Sequence, residues 1–457
     1  MKQKEIPGMF EGPIIPVALK IALPILLGNI LQLLYMIVDT YFISLIDKSS
    51  TALISGTGLL FPLFFIFMAI GASLNIGISS LVGRTIGEKN TKIAEFISAS
   101  GFSIGMIIAV PALMVGYLYG DQFIHILAGS ELSQEALDSG LQYFYFVLPS
   151  FALMILGQIF GGILQGEGLT HVIAKAMLLS TVVNIILDPI FIFGLNMGVV
   201  GAGLATTVST LVVIVYITWF MLGDRTSIPI SFSLAKVRFS IIKEVVRIGF
   251  PQFLNLGSIS IAIMFLNKLV GNIGELYMNS WTLVGRMDNI LIIPAISVSA
   301  ATITMISQNY GRQNLDRILE IYMKNIMLGL IMVFIAASVY VLAAPVLFSL
   351  FSNVPDVVDT AVRQVRLVSH TTLGVAVAII SGAAFQGTGR PYPAVVIPIV
   401  RMGILTVPLA FYFVQSLGMG IDGVYYSLII GNIVVFIFAF FWARFHLKRI
   451  SFKSLAA

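Results

Sequence analysis

Five ionisable side chains stand inside otherwise apolar stretches of this sequence: Asp39, Asp188, Arg286, Asp288 and Arg401, with His370 in the outer part of another. A charge in such surroundings costs about 3 kcal/mol unless it is paired or functional. Carboxylates so placed are suited to taking up and releasing a proton or a small cation. Asn184 lies four residues before Asp188, on the same helical face. Thr206 and Thr207 fall just inside the outer end of the next stretch. Two acids, an amide and a hydroxyl at similar depth on three helices outline a hydrated polar pocket. Their oxygens are of the kind that also suits Na⁺. The competing reading is a pair of solvated carboxylates at helix ends. Asp188-Pro189 favours that reading, since a residue before proline often ends a helix, yet Ile190-Phe-Ile-Phe193 continues the apolar run.

The elements that must position these residues follow from composition. Of 457 residues, 58% are apolar and 10% charged, and the mean hydropathy is +1.00. Soluble chains carry about 45–50% apolar and about 25% charged residues, so a soluble globular protein is excluded. No cysteine is present, which removes disulfides, thiolate metal sites and cysteine nucleophiles. Twelve apolar runs long enough to span a bilayer lie near 14–46, 54–82, 94–118, 137–165, 169–193, 199–222, 241–270, 278–307, 318–342, 360–387, 391–414 and 421–445. They lack the alternation of β-barrel strands, and the first is too long for a cleaved signal peptide. The expected fold is an all-α integral membrane protein of twelve transmembrane helices.

Charge sets the expected orientation. With both termini inside, 20 of the 26 Lys and Arg residues are cytoplasmic. Four (Lys48, Lys268, Arg363, Arg366) are outside, and Arg286 and Arg401 are within spans. That bias reads as N-in, C-in. The net charge of +5 is a topology signal, not a nucleic-acid footprint. The chain also repeats itself. Ile21-Ala-Leu-Pro24 recurs as Ile248-Gly-Phe-Pro251, Gly87-Glu-Lys-Asn90 as Gly311-Arg-Gln-Asn314, and Gln165-Gly-Glu-Gly168 as Gln386-Gly-Thr-Gly389. The offsets are 227, 224 and 221 residues. Each half carries six spans, so the halves enter the membrane in the same direction, a parallel repeat about the membrane normal. The expected lobes are 1–222 and 241–457, joined by a cytoplasmic linker at 223–240. By the same offsets Asp39 corresponds to Leu266 and Asp188 to Leu409, so the ionisable pocket belongs to the first half alone.

No enzyme motif is present: no phosphate-binding glycine loop with its lysine, no HExxH and no GxSxG. The chain does resemble the multidrug and toxic compound extrusion (MATE) transporters along its whole length. The matching residues are Pro24, Tyr35, Val38-Asp39-Thr40, Val82-Gly83-Arg84 with Gly87, Gln165 to Gly168, Asn184 to Pro189, Gly198 to Gly203, and Ala205-Thr206. Acids in the first half resemble the DinF branch. The NorM branch keeps its carboxylates in the second, where this chain has none between Pro251 and Asn267 and has His370-Thr-Thr instead.

The resemblance implies a V-shaped pair of lobes with pseudo-twofold symmetry and export of organic, often cationic, compounds in exchange for H⁺ or Na⁺ by alternating access. It also implies that Asp39, Asn184, Asp188 and Thr206 form the proton and cation network, able to hold Na⁺, that Pro24 bends the first helix, and that Gln32 and Tyr35 line the same cavity as Asp39. Gln158, Met177, Arg286 and Asp288 are further cavity candidates, although Arg286 and Asp288, two apart, do not face each other. Coupling requires no cofactor beyond H⁺ and/or Na⁺. The expected partners are small amphipathic substrates and the lipid of the cell membrane, with no nucleic acid, for a chain acting as a monomer. A lipid-linked oligosaccharide flippase should show extra spans and several cavity cations. A channel or receptor fits the parallel repeat less well.

Overall fold

The computed structural model describes residues 7–46, 53, 56–57, 60–127, 134–223, 225–351 and 354–455. Among them twelve helices are long and apolar enough to cross a membrane. We number them α1 (Ile14–Ile46), α2 (Phe61–Gly87), α3 (Thr91–Leu127), α4 (Gln134–Glu167), α5 (Thr170–Gly194), α6 (Gly198–Leu222), α7 (Phe239–Ile273), α8 (Glu275–Gly311), α9 (Leu315–Ser349), α10 (Pro355–Gly387), α11 (Pro393–Ser416) and α12 (Ile421–Leu455). All twelve expected spans are there. Several of them, α8, α10 and α11 among them, are interrupted in ways hydropathy does not register. The helix α8 breaks at Asp288, into Glu275–Met287 and Asn289–Gly311. A 3₁₀ turn, Ser369–Thr371, interrupts α10 and carries His370 close to mid-span. In α11 the π-helical turns Ile399–Thr406 and Tyr412–Ser416 replace α geometry.

The repeat is written into the backbone. Left-handed residues pair up at Lys89 and Gln313, Gly168 and Gly389, Asn196 and Gly418, and Gly198 and Gly420. The turns they make share their hydrogen bonds. Asn90 N–H reaches back to Thr85 O as Asn314 N–H does to Asn309 O, and Leu195 N–H reaches Ile190 O as Leu417 N–H does Tyr412 O. Glycine at 168, 198, 389, 418 and 420 supplies positive φ without a Cβ penalty. Pro24 and Pro251 lie inside α1 and α7, where each removes one helical hydrogen bond.

Two compact units divide the described chain. The first takes Leu27–Ile86 and Asn90–Gly249. The second takes Glu5–Leu26, Gly87–Lys89 and Phe250–Ala457. Both long repeat helices are therefore shared: α1 passes from the second unit to the first after Leu26, and α7 from the first to the second after Gly249. The reason is apolar burial. Met9, Phe10, Ile14, Val17, Ala18, Ile21 and Ala22 join the core of Val298, Met305, Tyr322, Ile380 and Val435. Ile241 and Val245 join that of Ile78, Ile97, Ile159, Ile163 and Ile217. Within the first unit, α4 presents Gly162 and Gly166, one turn apart, to the backbone of Asn75 and Ser79 on α2. This small-xxx-small spacing lets two membrane helices approach closely.

The polar segment after α6 is tied to the first unit. Both oxygens of the buried Glu167 carboxylate accept backbone N–H groups, from Ser227 at 2.8 Å and Ile228 at 2.9 Å. Ser98 Oγ donates to Pro229 O, and Arg238 N–H donates to Ser100 Oγ. Nearby, Arg84 and Arg247 both donate to Glu244 Oε1, at 2.9 and 2.7 Å.

Candidate functional site

Tyr35 and Asp39 are four residues apart on one face of α1. Asn184 and Asp188 are likewise spaced on α5 and are fully buried. The α6 helix brings Thr206. Its first turns read Gly198-Val-Val-Gly-Ala-Gly203, and a Cβ at Gly201 would strike the backbone of Phe191 and Ile192. One at Gly203 would press on Tyr143 O. These glycines let α6 lie flush against α4 and against the π turn Ile190–Gly194 that ends α5. The fit carries Thr206 to the acids.

The contacts join the three helices. Tyr35 OH donates to Thr206 Oγ1 at 3.0 Å, and Asn184 Nδ2 donates to Asp188 Oδ1 at 3.3 Å. Asp39 and Asp188 are near enough for their charges to act on each other and on Tyr35. Three oxygens are left over. Asp39 Oδ1, Asn184 Oδ1 and Asp188 Oδ2 are buried and accept no hydrogen bond. A buried polar atom without a partner costs about 1–3 kcal/mol, and here three acceptors from two helices share one pocket. Acceptors alone suit a proton or a hard cation, not an anion. The reading of Asp188 as a solvated helix end is excluded by its complete burial. Among the described residues no group of three His, Cys, Asp or Glu side chains is placed to hold a metal.

Tyr143 of α4, buried, was not anticipated. It lies beside the Thr206 hydroxyl, within range of the charges of Asp39 and Asp188. Its only sequence signal is a hydroxyl inside the aromatic run Tyr143-Phe-Tyr145.

Other candidates are placed elsewhere. Gln32 is exposed on α1. Met177 packs its sulfur against Gly28, and Gln158 packs against Gly71 while its carbonyl accepts from Asn75. Both are partly buried, and no hydrogen bond links either to the acids. Pro24 lies two residues before α1 passes between units. Asp288 sits at the α8 break, beside Tyr340, whose hydroxyl is buried without a partner. The Arg286 side chain lies outside the described residues. In the second half, Leu266, the counterpart of Asp39, is buried in the core with Ala262, Leu269 and Val270.

The family model MatE matches residues 24–190 and 251–412, one match in each half. The chain belongs to the MATE family. It is a multi-pass membrane transporter, not an enzyme. Curated relatives include the multidrug export protein MepA of Staphylococcus aureus (strain bovine RF122 / ET3-1), 24% identical over 433 residues and 94% of both chains. The MepA of Staphylococcus haemolyticus (strain JCSC1435) is 26% identical over 455 residues and 96% of both. Among solved structures, a MATE protein in its bent conformation superposes with a TM-score of 0.90 at 26% identity, over 99% of this chain and 100% of that one. The MATE transporter ClbM in complex with Rb⁺ gives 0.87 at 28% identity, over 98% and 99%.

Proposed function

We propose that this MATE transporter is a secondary active multidrug exporter of the DinF-like type. It moves organic, often cationic, compounds out of the cell in exchange for H⁺, or for Na⁺, by alternating access. The observation that carries this reading is the trio of buried, unbonded acceptor oxygens on Asp39, Asn184 and Asp188. Two carboxylates in one pocket repel when both are ionised. A proton on either acid, or Na⁺ held by Asp39, Asn184, Asp188 and Thr206, relieves that repulsion. H⁺ needs only the acids and is the first choice; the Rb⁺ complex of ClbM supports a cation at some site in this fold. The names of the MepA relatives support drugs as cargo. Relief of the repulsion frees the part of α1 beyond Pro24 to bend, a proline being a natural kink, which narrows the first half's cavity and displaces a bound cation. The bias of 20 basic residues against four supports both termini in the cytoplasm and a place in the cell membrane.

The test is efflux from proteoliposomes driven separately by a pH gradient and by a Na⁺ gradient. Drug movement is expected with the pH gradient. Movement with neither gradient, in protein that binds drug, would overturn the exchange mechanism.

A further inference from the structure

The second half carries a polar feature that the first does not. Gly168 and Gly389 pair at an offset of 221 residues, whereas Asn196 and Gly418 pair at 222. One residue has therefore been added between these points in the second half. In the first half the intervening helix is regular from Thr170 to Pro189. In the second it turns π-helical over Ile399–Thr406, a geometry that accommodates one more residue per turn and is frequent at functional sites. Past the insertion the register is 222, so Asp188 corresponds to Ala410, not Leu409, and Asn184 to Thr406.

Arg401 lies inside that π segment. Its Nη1 donates to Asn432 Oδ1 of α12 at 3.2 Å, and Asn432 Nδ2 donates to Thr371 Oγ1 at 2.9 Å. Thr371 Oγ1 donates in turn to Val368 O at 2.6 Å. The relay runs one way and ends on a carbonyl. A guanidinium has five N–H donors, and this relay uses one. Among the described residues no carboxylate lies within ion-pairing distance of Arg401. Thr406 Oγ1 is buried without a hydrogen-bond partner. It packs against Gly431 of α12, where any side chain would collide with it and where the Arg401 carbonyl also lies close. Three helices thus meet around a guanidinium with unused donors and one positive charge, with the unpartnered Thr406 hydroxyl five residues further along α11, at a register where the first half has Leu179 and Ser180.

We propose that Arg401 and Thr406 form an anion-binding subsite that takes the carboxylate of zwitterionic organic substrates. The inference rests on the exporter reading above and adds a substrate class to it. A planar guanidinium matches a carboxylate through two parallel N–H···O bonds, and a single cation balances a monoanion.

The experiment uses the purified full-length protein in detergent and fluorescence anisotropy. Its probes are tetramethylrhodamine, with a free carboxylate, and tetramethylrhodamine methyl ester, which keeps the same cationic ring system. The wild type is expected to bind the free acid about ten-fold more tightly than the ester. In Arg401→Gln the two affinities become equal because the acid weakens while the ester is unchanged, and the unchanged ester affinity reports an intact fold. Arg401→Lys retains part of the preference, and Thr406→Val loses part of it. Ester binding with no preference in the wild type, or a preference that survives in Arg401→Gln, overturns the anion subsite and leaves the exporter reading intact. Should Arg401→Gln fail to fold, the wild-type ratio and Thr406→Val decide. Binding of neither dye overturns both readings.

Discussion

The Tyr35 hydroxyl donates a hydrogen bond to Thr206 Oγ1 across 3.0 Å, tying α1 to α6 one turn away from Asp39. Any motion of α1 that repositions Asp39 must stretch or break this bond. Tyr35→Phe removes it while keeping the ring. The variant is expected to lose about 1 kcal/mol of stability, with drug export reduced but not abolished. Thermal unfolding in detergent and dye efflux from cells measure the two effects; unchanged values in both would show the bond to be incidental.

Asp39→Asn should abolish drug resistance in a hypersensitive host while the protein still reaches the membrane, since the amide neither holds a removable proton nor repels Asp188. Asp188→Asn should do the same. Wild-type resistance from either well-expressed variant would remove that acid from the coupling group.

Asp288 stands at a helix break beside Tyr340 and belongs to the second unit, whereas Asp39 and Asp188 belong to the first. Asp288→Asn is expected to leave the ion dependence of transport intact, even where drug affinity changes. Loss of the response to a pH or Na⁺ gradient, with drug binding retained, would contradict coupling in the first half alone.

Glu167 holds two backbone N–H groups of the segment after α6, one on each oxygen. Glu167→Gln offers only one acceptor and turns an NH₂ group towards the other N–H. A cost of about 2 kcal/mol is expected, with faster tryptic cleavage at the exposed Arg225. An unchanged cleavage rate would show that Ser98 and Ser100 hold the segment unaided.

The spans were legible because each is a long apolar run, and the repeat because its turns need glycine at fixed places such as Gly168 and Gly389. Asp39, Asn184, Asp188 and Thr206 were legible as polar groups at similar depth. Their convergence depends on the Gly201 and Gly203 contacts, which spacing alone does not specify. Tyr143 was hidden because tyrosine in an aromatic run reads as packing. The break at Asp288 and the π turns of α11 leave hydropathy unchanged, so no apolar count could locate them. Nor did the linker at 223–240 reveal that neither long repeat helix keeps to its own half.

That sharing bears on any attempt to make the protein in pieces. A cut within 223–240 would give a first fragment whose residues 9–22 lack the Val298, Tyr322 and Val435 core they pack into. The second fragment would begin with Ile241 and Val245 stripped of theirs. Each fragment would expose the apolar stretch that the other should receive, so the halves are expected to be soluble in detergent only when made together, and to purify as a pair through a tag on either one.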